Sequence, residues 1–408
     1  MLHKLFRRAA GMVSSVRTAL LAGAAILLAS AVVAVPASAA DATVIDAVGQ
    51  PLGIAYGPDG ALYVSDYNWV GGVSVYQPGE AQASRHITVG HFSTSLAVTA
   101  DGTVYVLQHT ESQQTELGVV APGASGVSAT IPLTQGNHWL AAAPDGSLYV
   151  ASPSEGTVSV VPPGGTRVER VLDAGPFPVE VAVARDGTAY AANQHAGTVT
   201  VIPAGAAGPS HTVDVGRTSS PHGIAAAPDG TVYVANVLSG DVAVIEPAGT
   251  TVSQRIRVGR GPQEVAAGPD GTVYVTNSVD NTVSVIPPGA DAVAQTLATG
   301  EDPGRLAIAA DGSVAVVNRG SKTVTVFDGG SDGSAAAAAA GREDPPAAAA
   351  ATPSAPPSEG AVIAEGSFDV ALPAVAAGAG ALVLAGAASL VTVLRRRRSS
   401  RITYRPPH

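Results

Sequence analysis

The middle of the chain repeats one pattern of hydrophobic and polar positions seven times. Each repeat contains four short runs rich in β-branched residues, separated by turn residues such as Asp-Gly and Pro-Gly. The Asp-Gly pairs recur every 41 to 44 residues, beginning at Asp59, Asp101, Asp145, Asp186, Asp229, Asp270 and Asp311. A fixed period of this length with four strand-like runs predicts one blade of a β-propeller per repeat.

The two ends of the repeat region predict how the ring closes. The seventh repeat supplies three strand-like runs and then passes into a stretch without strand pattern, so its outer strand is missing. The segment Val44-Ile45-Asp46-Ala47-Val48-Gly49 matches the outer-strand pattern of residues 211–216. We expect this N-terminal strand to complete the last blade, because a closed ring leaves no free sheet edge. The prediction is an all-β, seven-bladed β-propeller over residues 41–328.

The ends of the chain have other patterns. Residues 1–40 combine a basic start, an apolar run and Ala37-Ser38-Ala39, which are the parts of a secretory signal peptide. Residues 329–369 are rich in Ala, Gly, Ser and Pro and predict a disordered tether. Residues 370–394 carry no charge and are long enough for a transmembrane helix, and the basic tail 395–408 is expected to stay in the cytoplasm. We therefore expect a single-pass membrane protein with its propeller outside the cell.

Composition removes several classes of function. The chain has 22 Lys and Arg against 32 Asp and Glu, a formal net charge of −10. Phosphate contacts need clustered cations, so a nucleic-acid partner is not expected. The chain has no cysteine, which excludes a disulfide framework, a thiolate zinc site and a cysteine nucleophile. We expect a monomeric propeller.

One mouth of the central channel is the predicted site. The innermost strand of a blade begins on the face where the second strand ends, so residues at these points surround one mouth. Their side chains vary between repeats, whereas the Asp-Gly face repeats itself, and variety on a repeated scaffold indicates a site. The candidates are His222 and His138 as catalytic bases, Glu180 and Glu264 as ligands for Mg²⁺ or Ca²⁺, and Trp139, Gln263, Arg305 and Asp66 as ligand-binding residues.

Structural interpretations stay open beside these. The mouth could be simply solvated, with Arg305 neutralising a carboxylate, and Trp139 could shield the channel. Four asparagines at the ends of second strands are expected to cap their own hairpin turns, namely Asn193, Asn236, Asn277 and Asn318.

The repeats resemble a known bacterial family. Tyr233-Val234-Ala235-Asn236 and Tyr274-Val275-Thr276-Asn277 look like the YVTN β-propeller repeat, a family that overlaps the NHL and lactonase-like propellers. The resemblance covers all seven repeats and implies the propeller fold. Members of that family range from surface proteins to enzymes, so it implies no single activity.

A second, local resemblance concerns the fifth repeat. Pro221-His222-Gly223-Ile224 followed by Pro228-Asp229-Gly230 is similar to repeats of streptogramin lyases, seven-bladed propellers that use histidine and a magnesium ion. This resemblance implies an eliminase-like base at His222. Those lyases carry a second histidine one blade away, where this chain has Val179 and Gln263.

Two functions remain as hypotheses. The first is a membrane-tethered propeller at the bacterial cell surface that binds a carbohydrate, a peptide or an envelope protein without chemistry of its own. The alternative is a metal-dependent lyase or lactonase that acts on a small cyclic molecule at the channel mouth.

Overall fold

A computed structural model describes residues 42–134, 136 and 139–328, and this part of the chain forms 28 β-strands in seven four-stranded sheets. The sheets are the blades of a propeller, numbered from the N-terminus. The innermost strands are β2 (Pro51–Tyr56), β6 (His91–Val98), β10 (Trp139–Ala142), β14 (Pro178–Val183), β18 (Pro221–Ala226), β22 (Pro262–Ala267) and β26 (Pro303–Ile308). The second strands are β3 (Leu62–Asp66), β7 (Val104–His109), β11 (Leu148–Ser152), β15 (Ala189–Asn193), β19 (Val232–Asn236), β23 (Val273–Asn277) and β27 (Val314–Asn318).

The outer half of each blade is built by two further strands. The third strands are β4 (Gly72–Tyr76), β8 (Thr115–Val120), β12 (Thr157–Val161), β16 (Thr198–Ile202), β20 (Asp241–Ile245), β24 (Thr282–Ile286) and β28 (Thr323–Phe327). The outermost strands are β5 (Arg85–Thr88), β9 (Ala129–Pro132), β13 (Arg170–Asp173), β17 (His211–Asp214), β21 (Gln254–Arg257), β25 (Gln295–Ala298) and β1 (Ala42–Asp46). Neighbouring innermost strands contact one another around the whole ring, including β2 with β26. The predicted all-β, seven-bladed propeller is therefore confirmed.

Burial falls from the second strand of a blade to its outer edge. All five residues of β15 and of β27 are buried, because the sheets on either side cover both faces of these strands. In β5 and β17 only one residue is buried, since one face and one edge meet solvent. The continuous apolar runs in the sequence are thus second and third strands, and the mixed runs are outer strands.

The ring closes as the sequence predicts. Strand β1 pairs antiparallel with β28, from Ala42 opposite Phe327 to Asp46 opposite Thr323. The last sheet has the order β1-β28-β27-β26, so the N-terminal strand is the outer strand of blade 7. The strand ends at Asp46, and residues 47–49 of the predicted run leave it. Ile45 is buried among residues of blades 1 and 7, which joins the two ends of the ring by packing as well as by hydrogen bonds.

The two faces of the ring differ. On one face the Asp-Gly turns connect first and second strands; at Gly230 φ is +91°, and the amide of Thr231 donates to Asp229 Oδ1 at 2.9 Å. Ala42 and Phe327 lie at the same end of blade 7 as its Asp-Gly turn, because Phe327 also pairs with Val314. Both ends of the propeller chain therefore lie on the Asp-Gly face, opposite the predicted site.

The predicted signal peptide (1–40), tether (329–369), transmembrane helix (370–394) and basic tail (395–408) lie outside the described residues, and these assignments stay predictions. Within the described ranges, no helix is long and apolar enough to cross a bilayer.

Closure by β1 can be tested with two neighbouring residues. We expect Ile45→Ala to lower the free energy of unfolding by about 2–5 kcal/mol, because the change leaves a cavity between blades 1 and 7. Val44→Ala in the same strand should change it by less than about 1 kcal/mol, since Val44 is 58% exposed. Urea denaturation of the two variants measures both values. Equal, small effects would contradict the closure.

Candidate functional site

Several functional side chains at the mouth, namely His222, Glu180, Glu264 and Arg305, stand on or beside β-bulges. In blade 5, Pro221 pairs with Asn236 and the next pair is Ile224 with Val234, so His222 and Gly223 oppose a single residue. The same register shift occurs in blades 1, 6 and 7, and a related one in blade 4. A bulge re-aims side chains that strand alternation would point into the sheet. The sequence pattern placed the candidate residues just ahead of the innermost strands, whereas the structure places them within these strands.

A salt-bridge group spans the channel. Arg305 of blade 7 donates through Nη1 to Glu180 Oε1 of blade 4 at 2.8 Å and lies 3.1 Å from Glu264 Oε2 of blade 6. The side chains of Glu180 and Glu264 are each 7% exposed and that of Arg305 is 16% exposed. Three blades that are distant in sequence therefore meet in one buried ion group.

The pKa values of both glutamates are raised. Burial raises the pKa of Glu180 well above its ordinary value, against the lowering effect of Arg305, and the nearby Glu264 raises it further. Burial also raises the pKa of Glu264, while Arg305 and a hydrogen bond from Glu180 oppose that rise. The guanidinium keeps its charge, since the two carboxyl groups together raise the pKa of Arg305 against its burial. We therefore expect the two carboxyl groups to retain one proton between them beside the charged guanidinium, which would leave the group close to neutral.

Aromatic rings surround this ion group. The guanidinium carbon of Arg305 lies 3.8 Å from the centre of the Trp139 ring, a cation–π contact. The ring of His222 contacts the Trp139 ring edge to face, with the ring centroids 6.3 Å apart. Trp139 is half-buried and packs against the core of blades 4 and 5. It therefore shields the channel and also offers a surface to a ligand.

His222 is a neutral imidazole with a defined tautomer. Its Nδ1 lies 3.0 Å from the backbone oxygen of Gln263, and because a carbonyl only accepts, Nδ1 carries the proton and Nε2 has the free lone pair. Burial lowers the pKa of His222 to about 4, and the charge of Arg305 adds to this. Gly223 permits the contact, since a Cβ there would lie 2.7 Å from the oxygen of Gln263.

Arg319 belongs to the mouth, although no sequence pattern predicts it. Its Nη2 donates to Asp302 Oδ1 at 2.7 Å, and its guanidinium lies over Gly304, where a Cβ would be 3.1 Å from Nε. Its charge also lowers the pKa of His222. It follows Asn318 directly, so comparing the position one residue beyond the end of each second strand would have found it.

Two of the predicted ligand-binding residues, Asp66 and Gln263, make contacts within the protein. Asp66 is buried in blade 1, where its Oδ1 accepts from the amide of Gln50 and from Asn68 Nδ2, both at 2.7 Å. Gln263 contributes its backbone oxygen to His222. His138 lies outside the described residues. The ion group of Arg305 is therefore formed with Glu180 and Glu264, and Asp66 serves the loop of blade 1 instead.

The asparagines at the ends of the second strands have a structural role. Each is fully buried and donates through Nδ2 across its own hairpin, as Asn318 does to Thr323 Oγ1 at 3.0 Å and Thr325 Oγ1 at 2.9 Å. Asn193, Asn236 and Asn277 make corresponding bonds. They hold the loops that surround the mouth.

The glutamates do not fit a site for a divalent cation. Both already bind Arg305, so an added ion would face a guanidinium within the same group. Among the described residues, no group of three or more His, Asp or Glu side chains is placed to hold a metal ion. We therefore derive no chemistry through magnesium or calcium.

The fold and this mouth define a seven-bladed propeller with a buried polar group across one end of its channel. The chain belongs to the virginiamycin B lyase family, whose model matches residues 37–326. This confirms the resemblance to streptogramin lyase repeats, and the YVTN assignment stays a prediction. Among curated proteins, none matches the chain in sequence.

Solved structures share the fold at low sequence identity. Hydrazine synthase from Kuenenia stuttgartiensis is 21% identical with a TM-score of 0.62, covering 70% of this chain and 97% of that one. A streptogramin B lyase is 15% identical (TM-score 0.58; 70% and 97% covered). Virginiamycin B lyase from Staphylococcus aureus is 12% identical (TM-score 0.57; 70% and 98%). At these identities the likeness concerns the fold alone.

The shared proton can be tested by removing the carboxyl groups one at a time. Glu180→Gln imitates the protonated form, and in Glu264→Gln the remaining Glu180 can ionise beside Arg305. We expect each single variant to lose less than about 1 kcal/mol of stability, and the double variant about 3–5 kcal/mol, because a buried guanidinium then has no counter-charge. Chemical denaturation at neutral pH measures the free energy of unfolding of the unchanged protein, the two single variants and the double variant. Additive losses would contradict a shared charge.

The lowered pKa of His222 predicts a pH dependence of stability. An unfolded histidine binds a proton below its ordinary pKa of 6.5, whereas folded His222 stays neutral until about 4. Its contribution to stability is therefore lost as the pH falls from 6.5 towards 4. In His222→Gln, the free energy of unfolding should change less steeply with pH in this window. The difference in slope corresponds to at most about one bound proton. Superimposable slopes for the two proteins would show that His222 is not held neutral.

Proposed function

We propose that this protein is a binding module of the bacterial cell surface that takes an uncharged polar ligand, a carbohydrate or peptide segment, at the channel mouth. The observation that carries the proposal is the ion group of Arg305, Glu180 and Glu264. Its charges compensate one another, so it has no strong preference for an ion. What the mouth offers to a ligand is the indole of Trp139, the Nε2 acceptor of His222 and hydrogen-bonding edges on Arg305 and Arg319.

The positions of the chain ends support this role. Both ends of the propeller chain lie on the Asp-Gly face, so the chain leaves the propeller on the side opposite the mouth before the predicted tether (329–369) and transmembrane helix (370–394) begin in sequence. A ligand can then reach the mouth without passing the attachment point. Polar residues that differ from blade to blade lie on one face, and the chain ends lie on the other. This arrangement suits a protein that presents a recognition surface.

A lyase is the second candidate, and family membership together with the state of His222 favours it. A neutral imidazole with Nε2 unprotonated can take a proton from a carbon atom while a neighbouring C–O bond breaks and a ring opens by elimination. Against this, the positions one blade away are Val179 and Gln263, which supply no second imidazole. The two glutamates are also bound to Arg305. Among the residues that the structure describes, His222 is the one candidate base at the mouth, and no second imidazole lies one blade away.

One experiment with two assays separates these functions. In the binding assay, the full chain is titrated with soluble peptidoglycan fragments, which contain both sugar and peptide. We expect Trp139→Ala and His222→Ala to weaken binding at least about tenfold, because both line the mouth. Val171→Ala, an exposed position in the outermost strand of blade 3, is the matched control and should leave binding unchanged.

In the activity assay, the chain is incubated with a streptogramin B cyclic peptide and magnesium, and the ring-opened isomer is sought by chromatography. We expect no turnover. Turnover that disappears in His222→Ala would replace the binding proposal with the lyase. Binding that survives both mouth variants would show that the mouth is not the binding site.

A further inference from the structure

A second cavity lies on the mouth face, at the junction of blades 3 and 4. Three loops enclose it: residues 153–156 between β11 and β12, residues 173–177 between β13 and β14, and the loop after β15 that contains His195. Its volume is about 490 Å³, and it is open to solvent. None of the mouth residues Arg305, Trp139 and His222 lines it, so this rim groove is separate from the channel mouth.

A stacked pair of rings forms one wall of the rim groove. The rings of Phe177 and His195 lie parallel, with centroids 3.8 Å apart and an interplanar angle of 10°. The amide of Gln194 donates to the backbone oxygen of Phe177 at 3.1 Å, which fixes the two loops to each other. The pair is therefore a rigid, flat aromatic surface with His195 on its exposed side.

Phe177 is not required by the turn that it occupies. The residue before the first Pro of the innermost strand has a positive φ in blades 4 to 7: +60° at Phe177, +56° at Ser220, +66° at Gly261 and +52° at Asp302. A small or polar residue adopts this conformation more readily than a bulky one. A large aromatic ring is therefore held there against the preference of its backbone conformation.

The charged side chains that line the rim groove are acidic. Glu155 and Asp173 line it, and no Lys or Arg does so among the residues that the structure describes. Asp173 Oδ1 accepts from the amide of Gly175 at 3.0 Å, which orients the carboxylate. Residues 41–328 contain 11 Lys and Arg against 26 Asp and Glu, a difference of −15, so the wider field also attracts cations.

We propose that the rim groove binds a guanidinium group, either of free arginine or of an arginine side chain in a peptide. A planar cation stacks on a flat aromatic surface by cation–π and dispersion contacts, and its N–H groups pair with carboxylates beside the ring. A lysine ammonium lacks the plane, and a neutral planar group lacks the charge. The volume of the groove leaves room for atoms on either side of the guanidinium.

The test uses three capped tripeptides that differ only in the central residue: arginine, lysine and citrulline, the last being planar but uncharged. Binding to the full chain is followed through the ring-proton NMR signals of His195, which report on this groove. We expect the arginine peptide to bind at least about tenfold more tightly than the citrulline peptide and more tightly than the lysine peptide. Equal binding of the arginine and citrulline peptides, or no binding of any, would overturn the proposal.

Variants locate the site. Glu155→Gln combined with Asp173→Asn, and separately Phe177→Ala, should each weaken the arginine peptide at least about fivefold. Phe92→Ala is the matched control, because Phe92 also has a positive φ (+49°) and contacts a histidine, His109, on the same face. Loss of binding in the control, or retention in the groove variants, would contradict the assignment.

The last measurement compares the affinity of free arginine with that of the arginine peptide. Affinity equal to that of the peptide identifies a small-molecule site, and weaker affinity identifies a peptide site; both agree with a guanidinium ligand. Trp139→Ala should leave this binding unchanged, so the outcome is independent of the ligand at the channel mouth.

Discussion

The pairing of β1 with β28 is the constraint on which the other features depend. It joins residues near the two ends of the propeller chain, Ala42 and Phe327, in one ladder, without any disulfide to hold them. The ion group at the mouth needs this closure, because Arg305 of blade 7 reaches Glu180 of blade 4 only if the blades surround a common channel. The geometry of the mouth is therefore a property of the complete ring and not of any single repeat.

Within the closed ring, the mouth shows how a site can be polar without being charged. Arg305 would be unfavourable in a buried channel alone, and two carboxylates there would repel each other; in one salt-bridge group their opposite charges offset one another. The same balance makes the glutamates poor ligands for a cation. It leaves Trp139 and the neutral His222 as the groups available to a ligand, which is why recognition is favoured at this mouth over metal-assisted chemistry.

The fold could be predicted from the sequence further than the site could. The blade number can be predicted from the period of the Asp-Gly turns. The ring closure can be predicted from the unmatched strand at Val44 and Ile45, because each pattern is read within a short stretch of sequence. That Arg305 neutralises a carboxylate was one of two open interpretations, and the structure supports it. Its two partners could not be assigned, since a bulge removes the alternation that tells which way a side chain points.

The contacts of the loop residues could not be predicted from the sequence for a different reason. Phe177 adopts a positive φ that sequence patterns assign to Gly or Asn, and its stacking on His195 brings together the connection between blades 3 and 4 and the β15–β16 hairpin loop of blade 4. Arg319 can be located by its place directly after the second strand of blade 7, but its contact over Gly304 depends on the folded loop. The repeated bulge has a consequence for the evolution of such propellers. Its extra positions carry no ladder bonds, so they can be exchanged blade by blade, and a new specificity needs only point substitutions on an unchanged frame.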